Sequence, residues 1–208
     1  AEMPAVIYNV FKKLDLGKFT VRLNNRKVLN GFFESLGLED KISDILRNID
    51  KIDKIGKDNV IEELKEIGIE DTKIAKIIDF ITISGSDKEK IASLKAMNID
   101  NEKFVEGVAE LEKVTDYMLA FGIEDDYFEI DLTIARGLDY YTGTVYETVL
   151  DEYRSLGSVC SGGRYDNLAE YYTNSKLPGI GISIGLTRLF SQLKEAGIIK
   201  SERASLVD

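Results

Sequence analysis

The sequence has no histidine, one cysteine and two prolines in 208 residues. Without histidine there is no Ser/His/Asp or Cys/His triad and no His-bearing zinc cluster, and the single thiol of Cys160 cannot supply the missing metal ligands. Chemistry in this chain must therefore run on arginine, tyrosine, carboxylates and backbone dipoles. A lone cysteine also excludes an internal disulfide, which fits a reducing compartment. No run approaches the roughly 18 uninterrupted apolar residues of a membrane span, and no basic-then-apolar leader stands at the start, so the expected location is the cytoplasm. Positive charge is in deficit, with 27 basic against 37 acidic residues and a formal net charge of -10. A chain of that sign cannot hold a long nucleic acid by bulk electrostatics, and any such contact needs a local basic patch.

With 44% apolar and 31% charged residues, the composition is that of a folded soluble domain and not of a disordered or collagen-like chain. Its length suits one large domain, or one domain with a smaller companion. The chain opens at Ala1-Glu2 without an initiator Met, enters a helical pattern at once (Val6, Ile7, Val10, Phe11, Leu14) and stops soon after another helix. It reads as a piece of a longer polypeptide.

Residues 19–23 alternate like a half-buried strand, and Asn24 or Asn25 can cap a helix carrying Val28, Leu29, Phe32, Phe33 and Leu36, which Gly37 ends. From 38 to about 100, isoleucines recur at helical spacing among Lys, Glu and Asp, predicting a small all-helical insertion with a loop at Ser84-Gly85-Ser86. The similar fragments at 36–40, 67–71 and 121–125 are unequally spaced and follow from helix-end chemistry alone, so they are not read as a repeat. A longer helix spans about 101–120. Beyond it Phe128, Ile130, Leu132 and Ile134 alternate with polar residues, predicting an antiparallel-type strand. Further strands are expected at 144–150, 155–161 and 179–184, the last running into a helix at about 186–195. The expected fold is α+β: residues 1–37 and 101–208 form one domain around an antiparallel sheet flanked by helices, interrupted by the insertion at 38–100.

Three segments in the last third of the chain can carry chemistry. Residues 134–147 pass through Arg136-Gly137-Leu138-Asp139-Tyr140-Tyr141-Thr142, a glycine-flanked turn with adjacent tyrosines, or a hairpin whose aromatics are ordinary core. Ser161-Gly162-Gly163-Arg164-Tyr165-Asp166 allows close backbone approach to a ligand, and a tight turn explains it better when it is taken alone. In the strand from Gly179 to Ile184, Gly179, Gly181 and Ser183 share one nearly bare face, a floor for a flat ring, while Ile180, Ile182 and Ile184 are expected to pack inward. Gly185 then leads into a helix whose first turn carries Arg188, a guanidinium beside a positive helix end that suits phosphate. Close strand packing with a surface arginine is the alternative.

Together these segments resemble the histidyl-tRNA synthetases, class II aminoacyl-tRNA synthetases. The Arg136 to Thr142 run resembles their histidine-specific signature, Ser161 to Asp166 their second glycine-rich signature, and Gly179 to Arg188 class II motif 3. The Arg26-Lys27-Val28-Leu29 helix and the insertion fit the same layout. The resemblance implies activation of histidine by ATP to histidyl-adenylate, then transfer to tRNA. By that resemblance Arg136 is the catalytic residue, contacting the α-phosphate and the histidine carboxylate. Tyr140, Tyr141, Gly162, Gly163 and Tyr165 belong to histidine binding, and Gly181, Ser183, Gly185 and Arg188 to ATP binding. ATP is a substrate that Mg2+ can accompany, and no protein-bound metal site is expected. The implied partners are histidine, ATP, the acceptor end of tRNA and a second copy of the parent chain, with no membrane. Contact of RNA with the insertion and a merely solvated helical face are equally consistent with Lys51, Lys54 and Lys57 beside Asp50, Asp53 and Asp58. Motifs 1 and 2 of the class have no match in this chain, so the isolated chain is expected to be inactive. The rival reading is a non-catalytic relative, the regulatory subunit of ATP phosphoribosyltransferase or the synthetase-like domain of a stress-response kinase.

Overall fold

A computed structural model of the chain describes residues 1–135 and 140–199. The first helix, α1 (Glu2–Leu14), buries Ile7, Tyr8 and Phe11 and stops at Asp15, whose φ of 50° is left-handed. Strand β1 (Phe19–Asn25) runs directly into α2 (Arg26–Ser35). Of the two candidate caps it is Asn25 that ends the strand and starts the helix, its side-chain oxygen accepting the Lys27 N–H at 2.9 Å. Gly37, at φ 65°, closes α2 as expected.

Five helices follow: α3 (Ile42–Ile49), α4 (Ile52–Ile55), α5 (Lys57–Glu66), α6 (Asp71–Ile81) and α7 (Asp87–Ala96). Ser86 starts α7 with a reciprocal cap, in which the Glu89 carboxylate accepts the Ser86 N–H at 2.7 Å and the Ser86 hydroxyl accepts the Glu89 N–H. The long α8 (Glu102–Ala120) is capped by Asn101 at the Phe104 N–H. The apolar faces of these helices form one core with α2. Phe32 of α2 stacks on Phe80 of α6 at a centroid distance of 3.9 Å, and Val28, Ile45, Leu64, Leu94 and Leu111 lie in the same cluster.

The remaining strands are β2 (Phe128–Ile130), β3 (Thr144–Leu150), β4 (Cys160–Tyr165) and β5 (Gly179–Ile184), and α9 (Leu186–Glu195) follows. Among the described residues they make a five-stranded sheet in the order β2-β1-β3-β4-β5, antiparallel except for β1 and β2. Its second core is built from α1, α9 and the sheet face that carries Val21, Leu23, Tyr146 and Cys160.

Two strands depart from expectation. The alternating run at 128–134 pairs with β1 in parallel and only through Ile130. Asp131 bends the chain there, its carboxylate accepting the Thr133 N–H at 2.9 Å and the Thr133 hydroxyl at 2.6 Å, while Leu132 and Ile134 still find buried places. The strand expected at 155–161 begins later, because residues 151–156 coil into a 3-10 segment and Gly157 turns at φ 70°. The glycine pair 162–163 is therefore strand interior and not a turn.

Edge strand β2 is covered by α7. The Ile130 N–H donates to the Asp87 carboxylate at 2.7 Å, and Lys90 donates to the Ile130 carbonyl at 2.5 Å. Helices α2 and α8 meet across Gly31 and Gly107. A Cβ at Gly107 would lie 2.7 Å from the backbone nitrogen of Val28, and one at Gly31 would lie 2.5 Å from that of Phe104. Gly107→Ala gains up to about 1 kcal/mol of helix propensity, and overpacking of a close helix contact costs roughly 1–3 kcal/mol. The expected outcome is a net loss of stability, read as a lower urea midpoint; a higher midpoint would contradict the close packing.

Candidate active site

Cross-strand register decides which side chains meet. Arg22 pairs with Glu147, Glu147 with Ser161, and Ser161 with Ser183, so these four stand on one face of the sheet. Asn24, Val145, Gly163 and Gly181 form the next row on that face, while Tyr146, Gly162 and Ile182 belong to the alternate row of the pleat and still contribute to the cleft above the sheet. A cleft of about 540 Å³ lies over the polar face. Val145, Glu147, Ser161, Gly181 and Ser183 contribute to its floor, Tyr140, Tyr141 and Tyr165 to its wall, and Arg188 reaches it from the first turn of α9.

The tyrosines form one aromatic group. Tyr140 lies 4.6 Å from Tyr141 and meets Tyr165 edge-on at 6.1 Å, centroid to centroid. The Tyr141 ring rests on Gly163, where a Cβ would lie 2.8 Å from the ring, and Tyr165 lies against Gly179, where a Cβ would come within 2.3 Å. Tyr165 thus covers one end of the strand face expected to be bare, and Gly181 and Ser183 remain as open floor. Gly162 contributes to the cleft and cannot be enlarged, since a Cβ there would lie 2.1 Å from the Gly181 carbonyl oxygen. Burial pushes the Tyr141 hydroxyl well above the ordinary phenol range, and its hydrogen bond with Tyr140 adds to the shift; burial does the same to Tyr146. Both phenols are neutral and able to donate at physiological pH.

Of the residues singled out in the sequence, Tyr140, Tyr141, Gly162, Tyr165, Gly181, Ser183 and Arg188 line the cleft. Gly163 supports Tyr141 from beneath, and Gly185 caps α9. Arg136 lies outside the described residues. Ile180 does not pack inward as expected: it is 43% exposed, outside the apolar cluster that takes in Ile182 and Ile184. Burial pushes the thiol of Cys160 up to about 11, consistent with a structural residue.

Sequence reasoning passed over Glu147, a carboxylate only 7% exposed on the cleft floor. Its signal is a charge in the middle of a strand otherwise made of Val, Tyr, Thr and Leu, and its partner in register is Arg22. A second cleft of about 490 Å³ shares Glu147 and Ser158 with the first and opens toward Asp53 and Lys54 of α4. Arg22 lines this second cleft, donating to Asp131 at 2.5 Å and to Asp53 at 3.2 Å. Next to Tyr165 in the chain, Asp166 accepts the Thr142 hydroxyl at 2.6 Å and pairs with Arg164 at 2.8 Å.

Comparison with known proteins places this geometry. The family model described as histidyl-tRNA synthetase matches residues 1–189. A histidine--tRNA ligase of Clostridium tetani is 63% identical over 99% of this chain and 46% of its own length. The crystal structure of histidyl-tRNA synthetase from Nostoc sp. PCC 7120 superposes with a TM-score of 0.93 at 48% identity, covering 96% of this chain and 47% of that one. A protein of Bacillus halodurans described as an ATP phosphoribosyltransferase regulatory subunit/histidyl-tRNA synthetase shares the fold, with a TM-score of 0.76 at 22% identity over 92% of this chain and 48% of that one. The sheet, its helical layers and the cleft define part of a class II aminoacyl-tRNA synthetase catalytic domain. Within that class the chain belongs to the histidyl-tRNA synthetase family, and it spans about half the length of the relatives it matches.

Burial alone would raise the Asp166 carboxyl, and the bonds from Thr142 and Arg164 overcome that and hold it below the usual range. A depressed folded-state value means stability that is present above the unfolded value of about 3.9 and is lost as pH falls through the folded one. Asp166→Asn should therefore be less stable than wild type near neutrality, with the gap closing in acid. A gap that stays constant down to the acid transition would contradict the pairing.

Proposed function

We propose that this chain forms the histidine-binding and ATP-binding part of a histidine--tRNA ligase, acting as part of a longer polypeptide in the cytoplasm. The observation that carries the reading is the cleft itself: a wall of three tyrosines faces an open Gly181-Ser183 floor with Arg188 at its margin. The 63% identity to a protein named for that activity supports it.

The chemistry follows from the residue types. A carboxylate is already a nucleophile at neutral pH, so attack of histidine on the α-phosphate of ATP needs no protein base, in keeping with a chain that has no histidine of its own. The O–P bond to the α-phosphate forms as pyrophosphate leaves, and the tRNA terminal ribose then takes the aminoacyl group from the adenylate. What the protein supplies is position and positive charge. Arg136 neutralises the α-phosphate and the histidine carboxylate. Tyr140, Tyr141 and Tyr165, with Gly162 and Gly163 giving them room, address the imidazole. A pocket that hydrogen-bonds ring nitrogens rejects apolar side chains, whose binding would leave its polar groups unpaired. Gly181, Ser183 and Gly185 give the adenine its floor, and Arg188 holds the nucleotide. Mg2+ can travel with the phosphates; the described residues bring no three acidic or thiol side chains together as a cage for it. The parent protein acts as a homodimer on the acceptor end of tRNA.

The test is histidine-dependent ATP-pyrophosphate exchange by the full-length protein. Exchange is expected in wild type and should fall by about 100-fold or more in Arg136→Ala, the scale of losing a charge-stabilising group at the reacting centre. No exchange with histidine binding intact would instead favour the regulatory-subunit reading. The isolated 208-residue chain, which has no match to motifs 1 and 2, is expected to give no aminoacylation; turnover free of contaminating synthetase would contradict that.

A further inference from the structure

Asn24 sits at the C-terminal end of β1 with no exposed surface. Its cross-strand neighbour on the same face is Val145, and an apolar residue would fill the space at no polar cost. Instead the Asn24 carboxamide donates to the carbonyls of Leu132 at 3.2 Å and Ile134 at 2.9 Å. Two residues on, Arg26 is 7% exposed and its guanidinium donates to the Ala135 carbonyl at 2.9 Å. The Arg26 backbone N–H donates to the Gly143 carbonyl, also at 2.9 Å. Residues 135 and 143, which flank the segment carrying Arg136, Tyr140 and Tyr141, are thus both tied to Arg26. On the far side the Thr142 N–H donates to the Arg164 carbonyl at 2.9 Å. Buried donors on carbonyls are expensive to leave unmade, so these bonds hold the chain in place at 132–135 and at 142–143.

We propose that Asn24 and Arg26 are positioning residues, a buried clamp that holds the chain at 132–135 and 143 and so positions the segment to which Arg136 belongs. Neither touches substrate; both act through the peptide carbonyls they hold. The kinetic consequence rests on the role given to Arg136 above, whereas the clamp itself does not.

Two measurements on the full-length protein decide it. The first is hydrogen exchange in Asn24→Ala: the amides of Thr133 and Ile134 should exchange about 10-fold faster or more while β3 and β4 keep their protection, a factor of ten being about 1.4 kcal/mol of local opening. Unchanged rates at 133–134, or a uniform loss of protection across the sheet, would overturn the clamp. Arg26→Met carries the same measurement through the second donor if Asn24→Ala does not fold. The second is pyrophosphate exchange at saturating substrates, where kcat should fall on the order of 10- to 100-fold, as for a reacting group misplaced by about an ångström. Introduced into Arg136→Ala, the same substitution should cost no further activity, because a residue that acts through Arg136 has nothing left to position. Losses that multiply would show a general structural role and overturn the proposal. A wild type without exchange would sink the assigned reaction, and the hydrogen-exchange result would still decide the clamp.

Discussion

The seven cross-strand pairs between β1 and β3, from Phe19 opposite Leu150 to Asn25 opposite Thr144, are the constraint on which the rest of this structure depends. Strand side chains alternate between faces, so a slip of one residue would set Arg22 opposite Tyr146 or Thr148, forcing either the arginine into the apolar layer or its new partner out over the cleft. The same register orders β4 and β5 in turn, because the pairs of Glu147 with Ser161 and of Ser161 with Ser183 continue one row across the sheet. The cleft is the polar side of a pleat whose other side packs on α1 and α9.

Much of this was legible in the sequence where a signal was local. Helix α2 shows its apolar spacing, a cap at Asn24 or Asn25 and its Gly37 stop. Strands β3 and β5 were expected at the residues they occupy, and the tyrosine and glycine segments that meet at the cleft were each recognisable by composition. Failures came where a local pattern was ambiguous and a distant partner decided it. Gly162 and Gly163 look like a turn until Tyr141 and the Gly181 carbonyl are seen to fill the space their missing side chains leave. The alternation at 128–134 persists through a bend because Asp131 supplies hydrogen bonds that the ladder no longer provides. Arg22, Asn24 and Glu147 carry no motif, and their significance lies in partners more than a hundred residues away in sequence, or on neighbouring strands.

The helical segment at 38–100 is joined to the sheet by polar contacts as well as by its shared core with α2 and α8. Asp87 and Lys90 hold the edge of β2, and Asp53 meets Arg22 in the second cleft. Burial raises the Asp87 carboxyl, against the opposing effects of the Ile130 N–H and of Lys90. A strongly acidic chain thereby spends several of its charges on internal attachments, and its exposed charge is a poor measure of what the cleft presents to an anionic ligand.

Because α7 occupies both outward-facing backbone groups of Ile130, that side of the sheet offers little template to another strand. Among the described residues the other margin is β5, which bears the floor of the cleft. The sheet therefore has a direction of growth: a strand added to it, from the same polypeptide or from another molecule, joins beside Gly181 and Ser183. Extending the sheet there would add backbone directly beside the floor of the cleft.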